Sequence, residues 1–519
     1  MEEVLPYFDT ADSKAAAGAV RMLALMTPME PAPEASLDCQ PCRLIPTHFY
    51  LFARLFRTQA ATTALVGLFS TLAKTHLVCQ QVSFGAYGIF DEIQSREIFA
   101  AISRLTRIDD KNSDDSFDSR FFLLRDRTQA AEQTAEWIVF SLSPLCLEQK
   151  TSMLSGLESF IASITVMYYP NSRIQAQLAF VTELLWYLAH RFCWRYNKEQ
   201  SGELATPPGR QINDELRRAF VCLLRNPVHS GCFSLHEPTR TNCRNAAKPL
   251  ADLEPGLIVP TVLQRFYAIH DSQVDGDAVE YSMWLLVALC STIAREKGLR
   301  CYLPNLMNLA LPGINANRPA LTTASCQFIR LAIWAPPPIH LRCAEPGKPD
   351  GPKAAQDWIA NEIKGLNKGG SIVDVDYREK LSDEKEIVLL RSAFSDVDDF
   401  VLRFMECVFK FASDVFRRSD IDTDLINERS MAEQDVRNTL EACFMSLQPE
   451  ILGEATSLLS KRLASDPISQ AKELIGCLVH SVSQANPKRE LQIVVPMLLD
   501  YVQRKSRNVG LNRDPNVMT

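Results

Sequence analysis

The sequence lacks the short motifs that mark the commonest catalytic sites. It contains no G-x-x-x-x-G-K-[ST] phosphate-binding loop, no G-x-S-x-G nucleophile turn, no H-E-x-x-H zinc helix and no G-x-G-x-x-G dinucleotide loop. Each motif places a nucleophile, a pair of metal ligands or a row of backbone N–H groups where its chemistry needs them. We therefore predict a protein that is not an enzyme and needs no cofactor, and we assign no catalytic, cofactor-binding or metal-binding residue.

Clustered positive charge is also scarce. The 55 Lys and Arg residues are outnumbered by 62 Asp and Glu residues, which gives a formal net charge of −7. Nucleic acids and anionic membranes attract clustered cations, so we predict no direct binding to either. The most apolar stretches, Met283–Ala294 and Phe180–Trp194, are too short or too interrupted by charge to cross a bilayer.

The cysteines do not indicate a disulfide framework. There are 15 of them, an odd number at irregular spacing. Most lie within apolar helical patterns, where a reduced thiol behaves as a small apolar side chain; examples are Cys290, Cys326, Cys407 and Cys477. The first residues, Met1-Glu2-Glu3, are acidic where a secretory signal would be basic. We therefore predict a reducing compartment, the nucleus or the cytoplasm.

Two clusters combine cysteine with histidine. The segment CQPCRLIPTH holds Cys39, Cys42 and His48, one ligand short of a tetrahedral zinc site. The segment HSGCFSLHEPTRTNC supplies four donors within fifteen residues of a predicted polar loop: His229, Cys232, His236 and Cys243. Their spacing matches no standard zinc finger. A surface loop with incidental donors is the favoured interpretation, and a zinc-dependent enzyme built on this loop is the weakest alternative function.

Apolar residues recur at helical spacing along most of the chain. One stripe follows intervals of three and four residues: Val401, Phe404, Val408, Phe411 and Val415. Two further stripes have the same period: Leu154, Leu157, Phe160, Ile161 and Ile164, then Leu178, Val181, Leu184, Leu185 and Leu188. Asn213 precedes DELRRAFVCLL and is a predicted N-cap. Strand-like alternation is scarce, and its best example, Ser371–Val375, is assigned to a loop.

Segments rich in polar residues, proline or glycine separate the helical blocks. We predict one continuous solenoid with a mobile loop insertion over 345–380 and helical repeats over four blocks: 1–108, 121–196, 211–344 and 381–507. The shorter polar breaks are Asp109–Ser119, Asn197–Arg210 and Pro238–Lys248.

Proline recurs at one place in a repeated local pattern. In four segments apolar residues precede a proline and apolar residues at helical spacing follow it: RLIPTHFYLF with Pro46, LIVPTVLQRF with Pro260, CYLPNLMNLA with Pro304 and IVVPMLLDYV with Pro496. Proline costs little in the first turn of a helix, because the N–H that it lacks would have no partner there. After Pro304 the pattern predicts a helix to Leu311, a turn at Pro312-Gly313 and a second helix from Pro319 to Trp334.

Helix pairs that cannot each enclose a core must stack on their neighbours. The predicted fold class is therefore all-α, a HEAT-like or armadillo-type α-solenoid of stacked helix-turn-helix repeats. An irregular helical domain with ordinary first-turn prolines is the alternative. Within this fold we predict core roles for Trp186, Tyr187, Trp284 and Trp334, and buried positions for His190 and His480.

Five long segments of the sequence form a distinctive ordered set. The longest is LPNLMNLALPGINANRPALTTASCQFI. The others are FGAYGIFDEIQSREIFAAISRL from Phe84, RYNKEQSGELATPPGRQINDELRRAFV from Arg195, LADLEPGLIVPTVLQRFY from Leu250 and DDFVLRFMECVFKF from Asp398. These segments resemble the large HEAT-repeat activators of the 20S proteasome, in which a Leu-Pro-Gly-Ile stretch and a threonine-rich helix are similar to the longest of them. They occur in the order that the family has and cover essentially the whole chain.

The resemblance implies a curved helical dome that caps the 20S core particle. Such activators use no ATP, do not recognise ubiquitin and open the gated pore to peptides or unfolded proteins. The resemblance also implies a location in the nucleus and cytoplasm and roles in DNA repair, acetylated-histone turnover and proteasome assembly.

The chain departs from the family at its carboxyl end. Family members are several times longer and end in a tail with a penultimate tyrosine, whereas this chain ends Asn516-Val517-Met518-Thr519. We therefore expect an internal fragment, with the acetyl-lysine region and much of the 20S contact outside it. The inositol-phosphate pockets of the family are not placed on any residue here. The alternative function is a HEAT-repeat adaptor unrelated to the proteasome, such as a nuclear transport receptor or an assembly scaffold.

Overall fold

A computed structural model describes eleven continuous stretches of the chain and single positions between 382 and 393 and between 487 and 503. The stretches are 13–26, 45–57, 59–79, 83–105, 117–165, 175–272, 276–334, 397–416, 423–447, 449–465 and 472–485. Within them the chain is mostly helical, and the β-type pairing that they contain is an isolated bridge between Gly85 and Gly88. The chain divides into two compact units, Met1–Ile258 and Val259–Thr519.

The first unit is built mainly of helices over its described residues. Their bounds are α1 Ser13–Met26, α2 Phe49–Ala53, α3 Gln59–Val78, α4 Glu92–Leu105, α5 Phe117–Ser141, α6 Leu145–Glu148, α7 Met153–Thr165, α8 Gln175–Gln200, α9 Asp214–Gly231 and α10 Glu237–Leu253. The division between the two units falls within α11, Pro255–Ser272.

The helices of the first unit lie in two rows. In the first row α1 packs on α3, α3 on α5, α5 on α8 and α8 on α10. In the second row α4 packs on α7, and α7 packs on α9. Contacts of α4 with α3, of α7 with α5 and of α9 with α8 and α10 join the rows. Most of these helices thus stack on an equivalent helix and pair with one in the other row, which is the packing of a HEAT-type repeat.

Aromatic side chains pack α3 against the segments beside it and α5 against α4. The ring of Phe69 in α3 lies 4.9 Å from Phe90 and 6.2 Å from Phe49, measured between centroids. Further along the rows Trp137 of α5 is fully buried, with its ring 5.2 Å from that of Phe99 in α4. Full burial of a large apolar side chain contributes about 1.5–3 kcal/mol relative to its exposure, so these rings are a main source of cohesion between the rows.

The second unit repeats this arrangement. Its helices are α12 Gly276–Arg295, α13 Leu303–Ala310, α14 Pro319–Trp334, α15 Val397–Phe416, α16 Thr423–Met445, α17 Pro449–Ser465 and α18 Lys472–Ala485. One row runs from α12 to α14, α16 and α18. In the other row α15 packs on α17 and on the 3-10 turn Leu311–Gly313 that follows α13.

A polar seam fixes how α16 lies against α14. The hydroxyl of Thr439 donates to the carbonyl oxygen of Cys326 at 3.0 Å. Four residues earlier on α16, the carboxylate of Asp435 lies 3.3 Å from Nη1 of Arg330 and accepts from Gln327 Nε2 at 3.4 Å. These pairs run in opposite directions along the two helices, so α14 and α16 are antiparallel and held in one register.

The helix pair predicted around Pro304 is confirmed. Pro304 is the second residue of α13, the 3-10 turn at Leu311–Gly313 follows, and α14 runs from Pro319 to Trp334. The hydroxyl of Thr322 fastens this turn, since it bonds with the carbonyl oxygens of Gly313 at 3.2 Å and Asn315 at 2.9 Å.

Most residues of the predicted stripes are buried. Val401, Phe404, Val408 and Phe411 each have 3% or less of their surface exposed, and Val181, Leu184, Leu185 and Leu188 have 2% or less. Asn213 is an N-cap, because its Oδ1 accepts from the backbone N–H of Leu216 at 2.9 Å. The predicted loop over 345–380, with Ser371–Val375, lies outside the described residues, as do Cys39 and Cys42.

Two predictions about helix ends are wrong. The segment Pro238–Lys248, predicted as a polar break, lies within α10, because Thr239, Cys243 and two alanines at helical spacing give that helix a buried face of small residues. Pro260 is the sixth residue of α11, since the helix already begins at Pro255. Burial of Pro260 with its apolar neighbours offsets the backbone hydrogen bond that an interior proline loses.

The predicted positions of several aromatic and histidine side chains are also wrong. Trp334 is 60% exposed at the end of α14. His190 and His480 are exposed, because each lies off the buried stripe of its helix. Trp186, Tyr187 and Trp284 are half-buried, and the first two stack on each other at 4.9 Å.

Helix α12 is long and apolar enough to cross a membrane. Half of its most apolar window is buried, and α12 packs on α14. Near its start Asp277 pairs with Arg318 at 2.8 Å. A core helix of a stacked-helix protein has the same length, composition and burial, so α12 carries no separate indication of a membrane.

Candidate functional site

A cluster of hydrogen-bonded polar side chains in the first unit lies where three helices end. The segment 201–213 joins α8 to α9 and includes a 3-10 turn at Pro208–Arg210. It belongs to the segment beginning at Arg195 that carries part of the family resemblance. Two arginines, Arg195 before the loop and Arg210 within it, make the main contacts, and we call this cluster the arginine junction.

The side chain of Arg195 is fully buried and makes four hydrogen bonds. Its Nη1 donates to the carbonyl oxygens of Val139 at 2.6 Å and Leu142 at 2.9 Å, at the end of α5. Its Nη2 donates to the Arg210 carbonyl at 2.7 Å, and its Nε donates to Glu199 at 2.8 Å. A helix end leaves carbonyls without partners, so one guanidinium caps α5 and ties it to the loop.

Glu199 completes the first half of the junction. Its Oε1 pairs with Arg195, and the two side chains are 1% and 0% exposed. Its Oε2 accepts the backbone N–H of Ile212 at 2.8 Å. Because a buried charge is tolerated only when paired and hydrogen-bonded, this carboxylate and guanidinium depend on each other.

Arg210 performs the same capping for α3. Its Nη1 donates to the carbonyl oxygens of His76 at 2.6 Å and Cys79 at 2.8 Å. The guanidinium carbon lies 4.8 Å from the centre of the Phe84 ring, within cation–π range. Since Phe84 begins the FGAYGIF segment, this contact joins two of the segments that carry the family resemblance.

His76, whose carbonyl oxygen accepts from Arg210, is fully buried. Its Nδ1 lies 3.1 Å from the carbonyl oxygen of Leu72, and its Nε2 has no hydrogen-bond partner. Burial, with the charge of Arg210 adding to it, lowers the pKa of His76 to about 4. The imidazole is therefore neutral at physiological pH, and it acts as a packed side chain that also orders the end of α3.

The FGAYGIF segment forms a tight turn, and residues of α6 and α7 hydrogen-bond to it. The carbonyl oxygen of Ala86 accepts from the Cys146 thiol at 3.2 Å and from the Met153 N–H at 2.9 Å. Gly88 has a φ of +73°, and a Cβ on it would lie 2.8 Å from atoms of Ser141. Glycine is needed here both for the backbone conformation and for the close approach of α5.

Part of the arginine junction could have been predicted from the sequence, because two of its charged residues lie on an apolar stripe. The buried stripe of α8, which includes Leu184 and Leu188, continues at intervals of three and four to Phe192, Arg195 and Glu199. Charged residues on a core stripe indicate a buried ion pair. No local pattern identifies the carbonyls that Arg195 and Arg210 bind.

The candidate metal ligands are not brought together into a site. His229 lies in the last turn of α9 with its ring 5.7 Å from Phe233. His236 precedes α10, and its Nδ1 lies 2.9 Å from the Thr239 hydroxyl. Cys232 and Cys243 are buried. Over the part of the chain that the structure describes, no three His, Cys, Asp or Glu side chains surround a point that a metal ion could occupy.

His48 of the other cluster precedes α2, with its ring 6.3 Å from that of Tyr50. The described cysteines, from Cys79 to Cys477, are not in disulfides. Burial raises the pKa of four core thiols to about 12: Cys290, Cys301, Cys326 and Cys443. These thiols stay protonated and behave as apolar side chains.

Stacked helix pairs whose polar clusters cap helix ends define an all-α, HEAT-like α-solenoid of the scaffold type. Sequence comparison then gives the family. The model for the mid HEAT repeats region of proteasome activator complex subunit 4 matches residues 157–508, which is more than half of the chain. The chain belongs to this family, and the predicted resemblance to HEAT-repeat proteasome activators is confirmed.

The other comparisons add no argument. No curated protein matches the chain. A solved structure, the crystal complex of SYS-1 and POP-1, aligns with 96% of this chain and 98% of its own at 10% identity. Its TM-score is 0.19, too low to carry a conclusion about fold or function.

Proposed function

We propose that this chain is a non-catalytic part of an activator of the 20S proteasome core particle. In this proposal the activator caps the core without using ATP or recognising ubiquitin, and it promotes opening of the gate to peptides or unfolded proteins. The observation that carries the proposal is the family match to the mid HEAT repeats of proteasome activator complex subunit 4 over residues 157–508.

The packing supports this proposal. Rows of stacked helices present broad faces built from many exposed side chains, which suit contact with another large protein. The described polar clusters have structural roles: Arg195 bonds carbonyl oxygens at a helix end, and Asp435 pairs with an arginine of the neighbouring helix. Such roles are those expected of a scaffold protein. The proposal places the protein in the nucleus and cytoplasm, where its partner would be found.

Purification of the protein expressed from its own locus with an affinity tag tests the proposal. We expect 20S subunits to co-purify, and we expect the purified protein to increase hydrolysis of a fluorogenic peptide by 20S without ATP. An untagged strain and a reaction lacking 20S are the controls. Absence of 20S subunits from the purified material would refute the proposal. Recovery of nuclear transport or assembly factors in their place would support the adaptor alternative.

A further inference from the structure

We draw no further inference here: the strongest candidate, the groove between α4 and α7 in the first unit, carries nothing because its lining mixes aromatic, charged and hydroxyl side chains and nothing in the structure shows what would occupy it.

Discussion

Replacing Arg195 by methionine tests whether the arginine junction holds the first unit together. Methionine keeps much of the apolar stem but removes the guanidinium, which makes four hydrogen bonds, including 2.8 Å to Glu199 and 2.7 Å to the Arg210 carbonyl. Glu199, whose side chain is 1% exposed, would keep one bond to the Ile212 N–H and lose its counter-ion. Breaking a buried pair in this way costs about 3–5 kcal/mol.

Calorimetry and hydrogen exchange measure the effect. For a unit of this size a loss of that magnitude lowers the melting temperature by roughly 10 °C. Exchange of the Ile212 amide should accelerate because its acceptor is disturbed. Arg195→Met with Glu199→Leu should recover part of the loss, since removing both charges avoids leaving one unpaired.

Arg191→Met is the matched control, one turn earlier on the same helix. Arg191 pairs with Glu132 and lies 3.3 Å from Glu136, but its side chain is 24% exposed. Glu132 is 35% exposed, and Glu136 keeps Lys74 at 2.7 Å as a counter-ion, so we expect the loss of Arg191 to cost about 1 kcal/mol or less. If Arg195→Met melts within 2 °C of the parent chain, or no lower than Arg191→Met, then the buried network does not stabilise the first unit as argued.

Three further predictions concern single side chains. The depressed pKa of His76, about 4 against 6.5 unfolded, means that the unfolded chain binds the extra proton, so stability is complete above pH 6.5 and falls towards pH 4. We expect a loss of about 2 kcal/mol at pH 5, and thermal melting of His76→Phe at pH 7 and pH 5 should show that this part of the pH dependence is gone. Gly88→Ala should destabilise the chain by more than 1 kcal/mol beyond Gly202→Ala in urea titrations, because both have positive φ but only Gly88 faces neighbouring atoms at 2.8 Å; equal effects would contradict this reasoning. In the folded chain iodoacetamide should label the exposed Cys222 and spare Cys290, whose pKa burial raises to about 12, and mass spectrometry that found the two equally labelled would refute the assignment of burial.

Helices were predictable where apolar residues recur at the same spacing from one helical turn to the next. The apolar stripe from Val401 to Phe411 needed only its own spacing, and the structure buries it. The turn between α13 and α14 was predictable because Pro312-Gly313 breaks the pattern locally. The same reasoning failed for Pro238–Lys248, since a helix can be held by small side chains against a neighbour that the local sequence does not show.

The candidate site was less predictable. The prediction gave weight to His229 and Cys243 because these residue types bind metals, and the structure does not bring them into a shared site. It gave none to Arg195 or His76. His190 and His480 were expected to be buried on apolar helices, yet both are exposed, whereas among the described histidines His76 has no exposed surface. A shift of one or two positions around a helix decides which side faces the core.

By itself the sequence determined the helices, the all-α class and the family. Apolar spacing and motifs are local features, and each can be recognised within a short stretch of chain. Only the tertiary structure decided which helix ends meet. Arg210 caps carbonyls at His76, 134 residues earlier, and Arg195 caps that of Val139, 56 residues earlier. Such partners are chosen by how the rows of helices stack, and an arginine carries the same five donors wherever the fold places it.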